Sequence, residues 1–355
     1  MPDEAVIGWD LGGAHLKAAR LDAAGRVLDV VQVACPLWQG LQHLHSAVDV
    51  ANRALGSAPR HAVTMTGEMV DLFATRGEGV SNLVAAIAER LAGQDVCFYA
   101  GDRGFLDAAA AIRDPAAVAS ANWMATAALV AARQPSAFLI DIGSTTTDLV
   151  PVHAGRVRAR GHDDASRLVT GELVYTGVVR TPVMALVRRV PFAAVWNPLM
   201  AEYFATMADV YRLLERLPEG ADQHPAADGG EKTVEASARR LARMLGRDID
   251  AASLADWHGL AEWLAGVQLR RIGHTVAQLW SREQLPDDAP VVAAGVGRFL
   301  VADLAARHGR RCMDFANLFS CAQGVNGRVS DCAPAVAVAW LLLRTNVIAS
   351  PGNSR

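Results

Sequence analysis

At 355 residues the chain exceeds one ordinary hydrophobic core and suits two lobes of about 150 to 200 residues each. Apolar residues make up 52% and charged residues 20%, a core-rich composition that sets extended disorder aside. A formal net charge of −3 supplies no basic field for nucleic acid, and the longest apolar run, Ala333 to Leu343, is too short to cross a bilayer, so neither nucleic acid nor membrane is expected as a partner.

The five cysteines (Cys35, Cys97, Cys312, Cys321, Cys332) are scattered and never spaced as Cys-x-x-Cys, which argues against a disulfide framework or a zinc knuckle and for reduced thiols. With no basic-then-apolar leader after Met-Pro-Asp-Glu, the expected location is the cytoplasm.

In chain order, residues 5 to 9, 16 to 21 and 27 to 33 read as three strands of a meander, broken at Gly12-Gly13 and Ala24-Gly25. Helical periodicity follows at 39 to 55 and 81 to 93, with strands at 61 to 65 and 95 to 99, and 115 to 133 reads as one alanine-rich helix. The pattern then restarts. AFLIDI (137 to 142), a Gly-Ser-Thr-Thr turn, a strand from Thr147 to His153 and a third from Arg156 to Arg160 repeat the N-terminal arrangement, as an internal duplication would. Residues 192 to 285 read as helical around a polar loop at 219 to 231. A strand at 290 to 294 precedes Gly295-Val296-Gly297 and a helix to about 308; a last apolar helix starts at 331, and the tail ending SPGNSR is expected to fray. The first lobe is therefore drawn at 1 to 134, completed by the helix 331 to 347, and the second at 135 to 330.

Three motifs carry chemistry. In Asp10-Leu11-Gly12-Gly13-Ala14-His15, with Lys17 beyond it, a strand-end aspartate precedes glycines that expose consecutive amides. Such a turn is concave towards phosphate oxygens, the carboxylate can hold hydrated magnesium, and the lysine can meet phosphate as a point charge. Asp141-Ile142-Gly143-Ser144-Thr145-Thr146-Thr147-Asp148 repeats the arrangement with hydroxyls in the loop. Either loop alone is equally a plain hairpin, whereas two facing across a cleft can clamp one polyphosphate. Gly295 and Gly297 lie at a strand-to-helix junction that suits either an anionic ligand or tight packing. Tyr175 and Arg180, in a glycine-bounded stretch, are substrate-loop candidates or a mere connection, and Asn122 with Trp123 is a ligand contact or a satisfied core pair.

The two Asp-Gly loops, the Gly-x-Gly turn and the helices at 118 to 130 and 331 to 344 resemble the phosphate, adenosine and connecting motifs of the actin, hexokinase and heat-shock chaperone superfamily. That resemblance implies a two-lobed α/β fold of the actin-like ATPase (ribonuclease H-like) kind, with duplicated mixed sheets and a central cleft. It also implies that Asp10 and Asp141 are metal-directed and phosphate-directed, and that Lys17 stands where actin has a lysine.

MTGEMVDLF (65 to 73), SANWMA (120 to 125), GELVYTGVVRTPV (171 to 183), EYFATMADVYRLL (202 to 214) and ARRLARMLGRD (238 to 248) are more closely similar to the hydantoinase and oxoprolinase-like proteins of tetrahydromethanopterin-linked one-carbon transfer. These are relatives of the archaeal enzyme that builds the aryl ether of methanofuran. The resemblance implies a transferase that joins a furanylmethyl diphosphate to the phenol of γ-glutamyltyramine and releases diphosphate. A furanylmethyl diphosphate ionises readily, so binding its metal-diphosphate and placing the phenol are the main demands. A base for the phenol proton must be a carboxylate or imidazole; Glu172 is the first candidate, with Glu68 and His15 behind it, and Asp148 and Lys17 complete the expected catalytic set. The loops alone equally suit ATP, so an ATP-dependent kinase or an amidohydrolase is the alternative. A homodimer is a further expectation for an enzyme of this size.

Overall fold

Val6–Leu11 form β1 with every residue buried, the mark of a strand covered on both faces. His15–Leu21 (β2) and Val27–Ala34 (β3) fold back beside it as an antiparallel meander. The helix Gln42–Leu55 crosses to Arg60–Met65 (β4), parallel to β1, and the helix Arg76–Arg90 crosses to Asp95–Tyr99 (β5), parallel to β4. Phe105–Leu106 (β6) adds an antiparallel edge, for the order β3-β2-β1-β4-β5-β6. The structure, a computed structural model, describes residues 5–283 and 285–345; the expected last turn of the final helix to 347, the fraying tail and Met-Pro-Asp-Glu lie outside the described residues.

The same plan is laid down again. Ala137–Ile142 (β7), Thr147–His153 (β8) and Arg156–Val157 (β9) form a meander, and Leu173–Val174 (β10) pairs with the other end of β8. Arg189–Phe192 (β11) and Val195–Pro198 (β12) make a separate hairpin. After the helices Met207–Leu213, Val234–Met244 and Leu254–Glu283 come Val291–Ala294 (β13), parallel to β7, and Cys312–Asp314 (β14), parallel to β13. The α/β architecture is thus a duplicated mixed sheet. The chain divides into two compact units, one running to Arg133 and resuming at Ala316, the other Gln134–Phe315.

Each unit has its own core: Ile7, Trp9, Leu11, Val63 and Phe98 centre one, and Phe138, Ile140, Tyr211, Trp257 and Ile272 the other. The last helix, Ala333–Arg344, buries residues all round its circumference, as a core helix does. No helix among the described residues is long and apolar enough to cross a membrane.

Three segments depart from the expected elements. The third strand expected over 156 to 160 stops at Val157, because the amides of Arg160 and Gly161 turn to the Glu172 carboxylate instead of a neighbouring strand. The single helix expected over 115 to 133 is two, Pro115–Val118 and Asn122–Arg133, broken where Ser120 takes φ 50°. There the Ser120 hydroxyl is drawn to a buried carboxylate, and that contact outweighs alanine's helix propensity. The hairpin β11–β12 replaces expected helix; its turn places Ala193 and Ala194 at φ 51° and 61°, where glycine or asparagine would have signalled a turn. Stacking of Phe192 on Trp257, ring centres 4.6 Å apart, helps hold that turn.

In the first unit Trp9 donates its indole N–H to His61 Nδ1 at 2.9 Å, and His61 Nε2 lies 3.0 Å from the Ala58 carbonyl. One nitrogen accepts and the other donates, which is the neutral imidazole. Burial pulls the His61 pKa below its ordinary value, against smaller opposing effects of Ala58, Gln94 and Asp95. The unfolded chain therefore takes up this proton first, so stability is full above about pH 6.5 and is lost as pH falls through the folded value. Thermal unfolding between pH 8 and 5 is expected to show this slope, and His61→Gln, a polar side chain that does not titrate, is expected to flatten it; an unchanged slope in the variant would rule His61 out as its source.

Candidate functional site

Asp10, 4% exposed, ends β1 and faces Lys17 on β2 and Thr64 on β4 across the ladder. Asp141 ends β7 and faces Asp148 on β8 in the same register position. The two hairpins match bond for bond: Gly12 N–H donates to the His15 carbonyl at 3.1 Å, and Gly143 N–H to that of Thr146 at 2.8 Å.

In both loops the scaffold holds the carbonyls. Gly13 and Ala14 carbonyls accept from Leu37 and Cys35 amides at 3.1 and 2.8 Å. The Gly143 carbonyl accepts from Val178 at 3.1 Å, and that of Ser144 from Val179 and Arg180 at 3.1 and 2.8 Å. Fixing a carbonyl on one side turns the amide of the same peptide to the other. The Gly143 and Ser144 carbonyls share their peptides with the amides of Ser144 and Thr145, and these two amides donate to no protein group among the described residues, which is the donor surface that an anionic oxygen needs.

Loop 2 rests on a segment whose glycine is required. A Cβ on Gly177 would come within 2.5 Å of the Ser144 carbonyl carbon and the Thr145 nitrogen. That segment is braced by Gly177 N–H to Thr181 Oγ1 (2.8 Å), Thr147 Oγ1 to the Thr176 carbonyl (2.7 Å), and Gln268, which donates to Thr176 Oγ1 and the Gly177 carbonyl at 2.8 and 2.9 Å. Tyr211 in turn donates to Gln268 Oε1 at 2.6 Å. Sequence reasoning missed this chain of buried polar groups. One signal was available: Gln268 stands on the apolar stripe of its helix, four residues from both Leu264 and Ile272.

Gly295 and Gly297 join the same neighbourhood. Gly297 N–H donates to the Ile142 carbonyl at 2.8 Å, and Gly295, at φ 80°, lies so close that a Cβ would meet Asp141 Oδ1 at 2.3 Å. The structure thus brings Asp141, Gly143, Ser144, Thr145, Thr146, Asp148, Gly295, Gly297 and the Arg180 backbone together. Asp148 and Asp141 are like charges face to face, and the buried Arg167 offsets them by donating to Asp148 Oδ1 at 2.8 Å.

Glu172 has a different character from the one expected of it. It is fully buried, and its carboxylate accepts from Arg160 N–H, Gly161 N–H and Arg282 Nη2 at 2.8 Å each and from Thr170 Oγ1 at 3.0 Å. Burial alone would raise its pKa, but the two amides, Arg282 and Thr170 outweigh it and hold the carboxyl below the usual range. Four donors fill the lone pairs of a carboxylate, so Glu172 has the geometry of a sheet-edge clamp and not of a base. Tyr175 is 61% exposed, outside that network.

In the first unit, Glu68 stands beside loop 1. Thr66 N–H donates to the Leu11 carbonyl at 3.0 Å, and a Cβ on Gly67 would lie 3.1 Å from that carbonyl oxygen and 3.3 Å from the Gly12 carbonyl carbon. Glu68 Oε1 accepts from Ser120 Oγ at 2.7 Å and pairs with Arg76 at 3.4 Å. Asn122 opens the helix two residues after Ser120, its Oδ1 accepting from Trp123 N–H at 2.7 Å. Among the described residues no three His, Cys, Asp or Glu cluster to cage a metal. Asp10 or Asp141 still fits magnesium, which takes one or two carboxylates and completes its shell with phosphate oxygens and water.

Comparisons with known proteins agree with this architecture. The chain is 30% identical over 338 residues, 95% of its length and 97% of the relative's, to "(4-{4-[2-(gamma-L-glutamylamino)ethyl]phenoxymethyl}furan-2-yl)methanamine synthase" of Methanocaldococcus jannaschii. The protein of the same name from Methanococcus vannielii is 27% identical over 58% of this chain and 89% of its own. The nucleotide-free structure of acetone carboxylase superposes with a TM-score of 0.58 at 9% identity, covering 94% of this chain and 70% of that one, a likeness of fold alone. The family model described as Hydantoinase/oxoprolinase matches residues 60–332, and the chain belongs to the hydantoinase/oxoprolinase family.

Proposed function

We propose that this chain is a transferase of methanofuran-type cofactor biosynthesis that condenses a furanylmethyl diphosphate with the phenol of a glutamyltyramine, forming an aryl ether and releasing diphosphate. The observation that carries the reading is the near full-length match to a synthase named for such an ether. The bond from the furanylmethyl carbon to the diphosphate oxygen breaks with its electron pair leaving on diphosphate; the phenol oxygen bonds to that carbon and loses its proton.

The chain's own groups suit this chemistry. Amides of Ser144 and Thr145, fixed before the reaction, stabilise charge that develops on the leaving group. Lys17 adds a point charge beside loop 1. Asp10 or Asp141 would hold magnesium, which when bound would supply charge neutralisation on the diphosphate. With Glu172 saturated, His15, at the end of loop 1, is the imidazole left to take the phenol proton. The reading places the enzyme in the cytoplasm. All five cysteines are free thiols, and burial pushes Cys35 and Cys332 up to about 12, as inert thiols in a reducing compartment.

The test supplies the purified protein with magnesium, [5-(aminomethyl)furan-3-yl]methyl diphosphate and γ-glutamyltyramine. Ether and diphosphate are expected in equal amounts without ATP, and inorganic diphosphate is expected to raise the melting temperature more than ATP does. Turnover only with ATP, or stabilisation by ATP alone, would transfer the site to a kinase or amidohydrolase.

A further inference from the structure

Glu68 is fully buried, yet only one of its two oxygens is used by the protein: Oε1 accepts from Ser120 and pairs with Arg76, while Oε2 has no hydrogen-bond partner among the described residues. A buried carboxylate oxygen left without a donor keeps its desolvation penalty uncompensated and calls for an explanation. The side chain is not loosely placed. Its backbone is gripped by Gly79, where a Cβ would meet the Glu68 carbonyl oxygen at 2.2 Å, and Ser120 is held at φ 50°, a strained position for a residue with a side chain. Strain retained beside a buried charge is characteristic of binding sites.

We propose that Glu68 Oε2 receives the primary ammonium of the furan donor, which makes Glu68 the residue that selects an aminomethylfuran over an unsubstituted furan. The proposal rests on the reading of function given above, in which the product is a furan bearing a methanamine. The missing partner of Oε2 must be a hydrogen-bond donor. A primary ammonium offers three donors and the opposite charge, whereas the diphosphate is an acceptor only and belongs to the amides of the loop. The turn that carries Glu68 packs directly on loop 1 through Gly67, so the carboxylate is anchored to the peptide that would bind the other end of the donor.

The experiment measures binding of [5-(aminomethyl)furan-3-yl]methanol, of furan-3-ylmethanol and of inorganic diphosphate to the full chain by calorimetry, with no turnover required. The wild type is expected to bind the amine at least ten-fold more tightly than the plain furan. Glu68→Gln is expected to abolish that preference while leaving diphosphate affinity and melting temperature within error. A wild type that binds both alcohols equally, or neither, overturns the proposal whatever the variant does. A variant that keeps the preference overturns it too, as does one that loses diphosphate binding in step, since Glu68 would then only shape the loop. Failure of the functional reading shows separately, as no ether formed from the amine-bearing diphosphate by a wild type that does prefer the amine.

Discussion

Replacing Gly295 by alanine is expected to cost about 2–4 kcal/mol of stability and at least ten-fold in diphosphate affinity. Two effects add. The residue sits at φ 80°, which an L side chain adopts with strain, and the new Cβ would come within 2.3 Å of both Asp141 Oδ1 and the Ile142 carbonyl oxygen. One of the intruded atoms is backbone and cannot swing aside, so the Asp141 carboxylate must move. Gly309→Ala supplies the control, because Gly309 has φ 62° with nothing within 4 Å of an added Cβ and so isolates the backbone term, expected near 1 kcal/mol. Unfolding in urea and calorimetry with inorganic diphosphate would decide the matter. Equal effects of the two substitutions would show that the Asp141 carboxylate is not positioned by this turn.

Glu172→Ala is expected to be the most destabilising single change in the second unit, by about 3–5 kcal/mol, the cost of breaking a buried pair from one side. It removes the carboxylate that accepts from the Arg282 guanidinium, the Arg160 and Gly161 amides and the Thr170 hydroxyl. The pH dependence follows from the sign of the shift. With the folded carboxyl below its unfolded value of about 4.3, the contribution is complete above that value and is lost as pH falls through the folded one. Glu172→Gln should therefore be less stable than wild type at neutral pH, with the gap narrowing in acid. In the proposed reaction Glu172→Gln, where it remains folded, should keep the wild-type pH–rate profile. A kcat loss of a hundred-fold or more with the fold intact would restore Glu172 as the base.

Much of the second unit's departure from expectation has one origin. Glu172 reads in sequence as a carboxylate in a glycine-bounded loop, which is what a base in a substrate loop also looks like. Only the arrival of Arg282 from the end of a helix more than a hundred residues later, and of the Arg160 and Gly161 amides from a strand that stops early, shows it to be saturated. The hairpin β11–β12 was illegible for a more local reason. Its turn uses Ala193-Ala194 in a left-handed conformation that alanine seldom adopts, so no glycine or asparagine announced it.

The two strand-turn-strand units, their shared Asp-x-Gly spacing and the strands and helices of the first unit up to residue 99 were determined by sequence alone, because they depend on short-range effects: alternation along a strand, glycine at a tight turn, apolar periodicity along a helix. Tertiary structure alone decided which way the loop peptides face, since that is set by amides of residues 35, 37 and 178–180 capturing the loop carbonyls. It also decided that the alanine-rich run from 115 breaks at Ser120, where a hydrogen bond to Glu68, 52 residues away in sequence, prevails over helix propensity. Propensity contributes tenths of a kcal/mol per residue, whereas a buried carboxylate without a donor costs several times that, so the long-range partner wins.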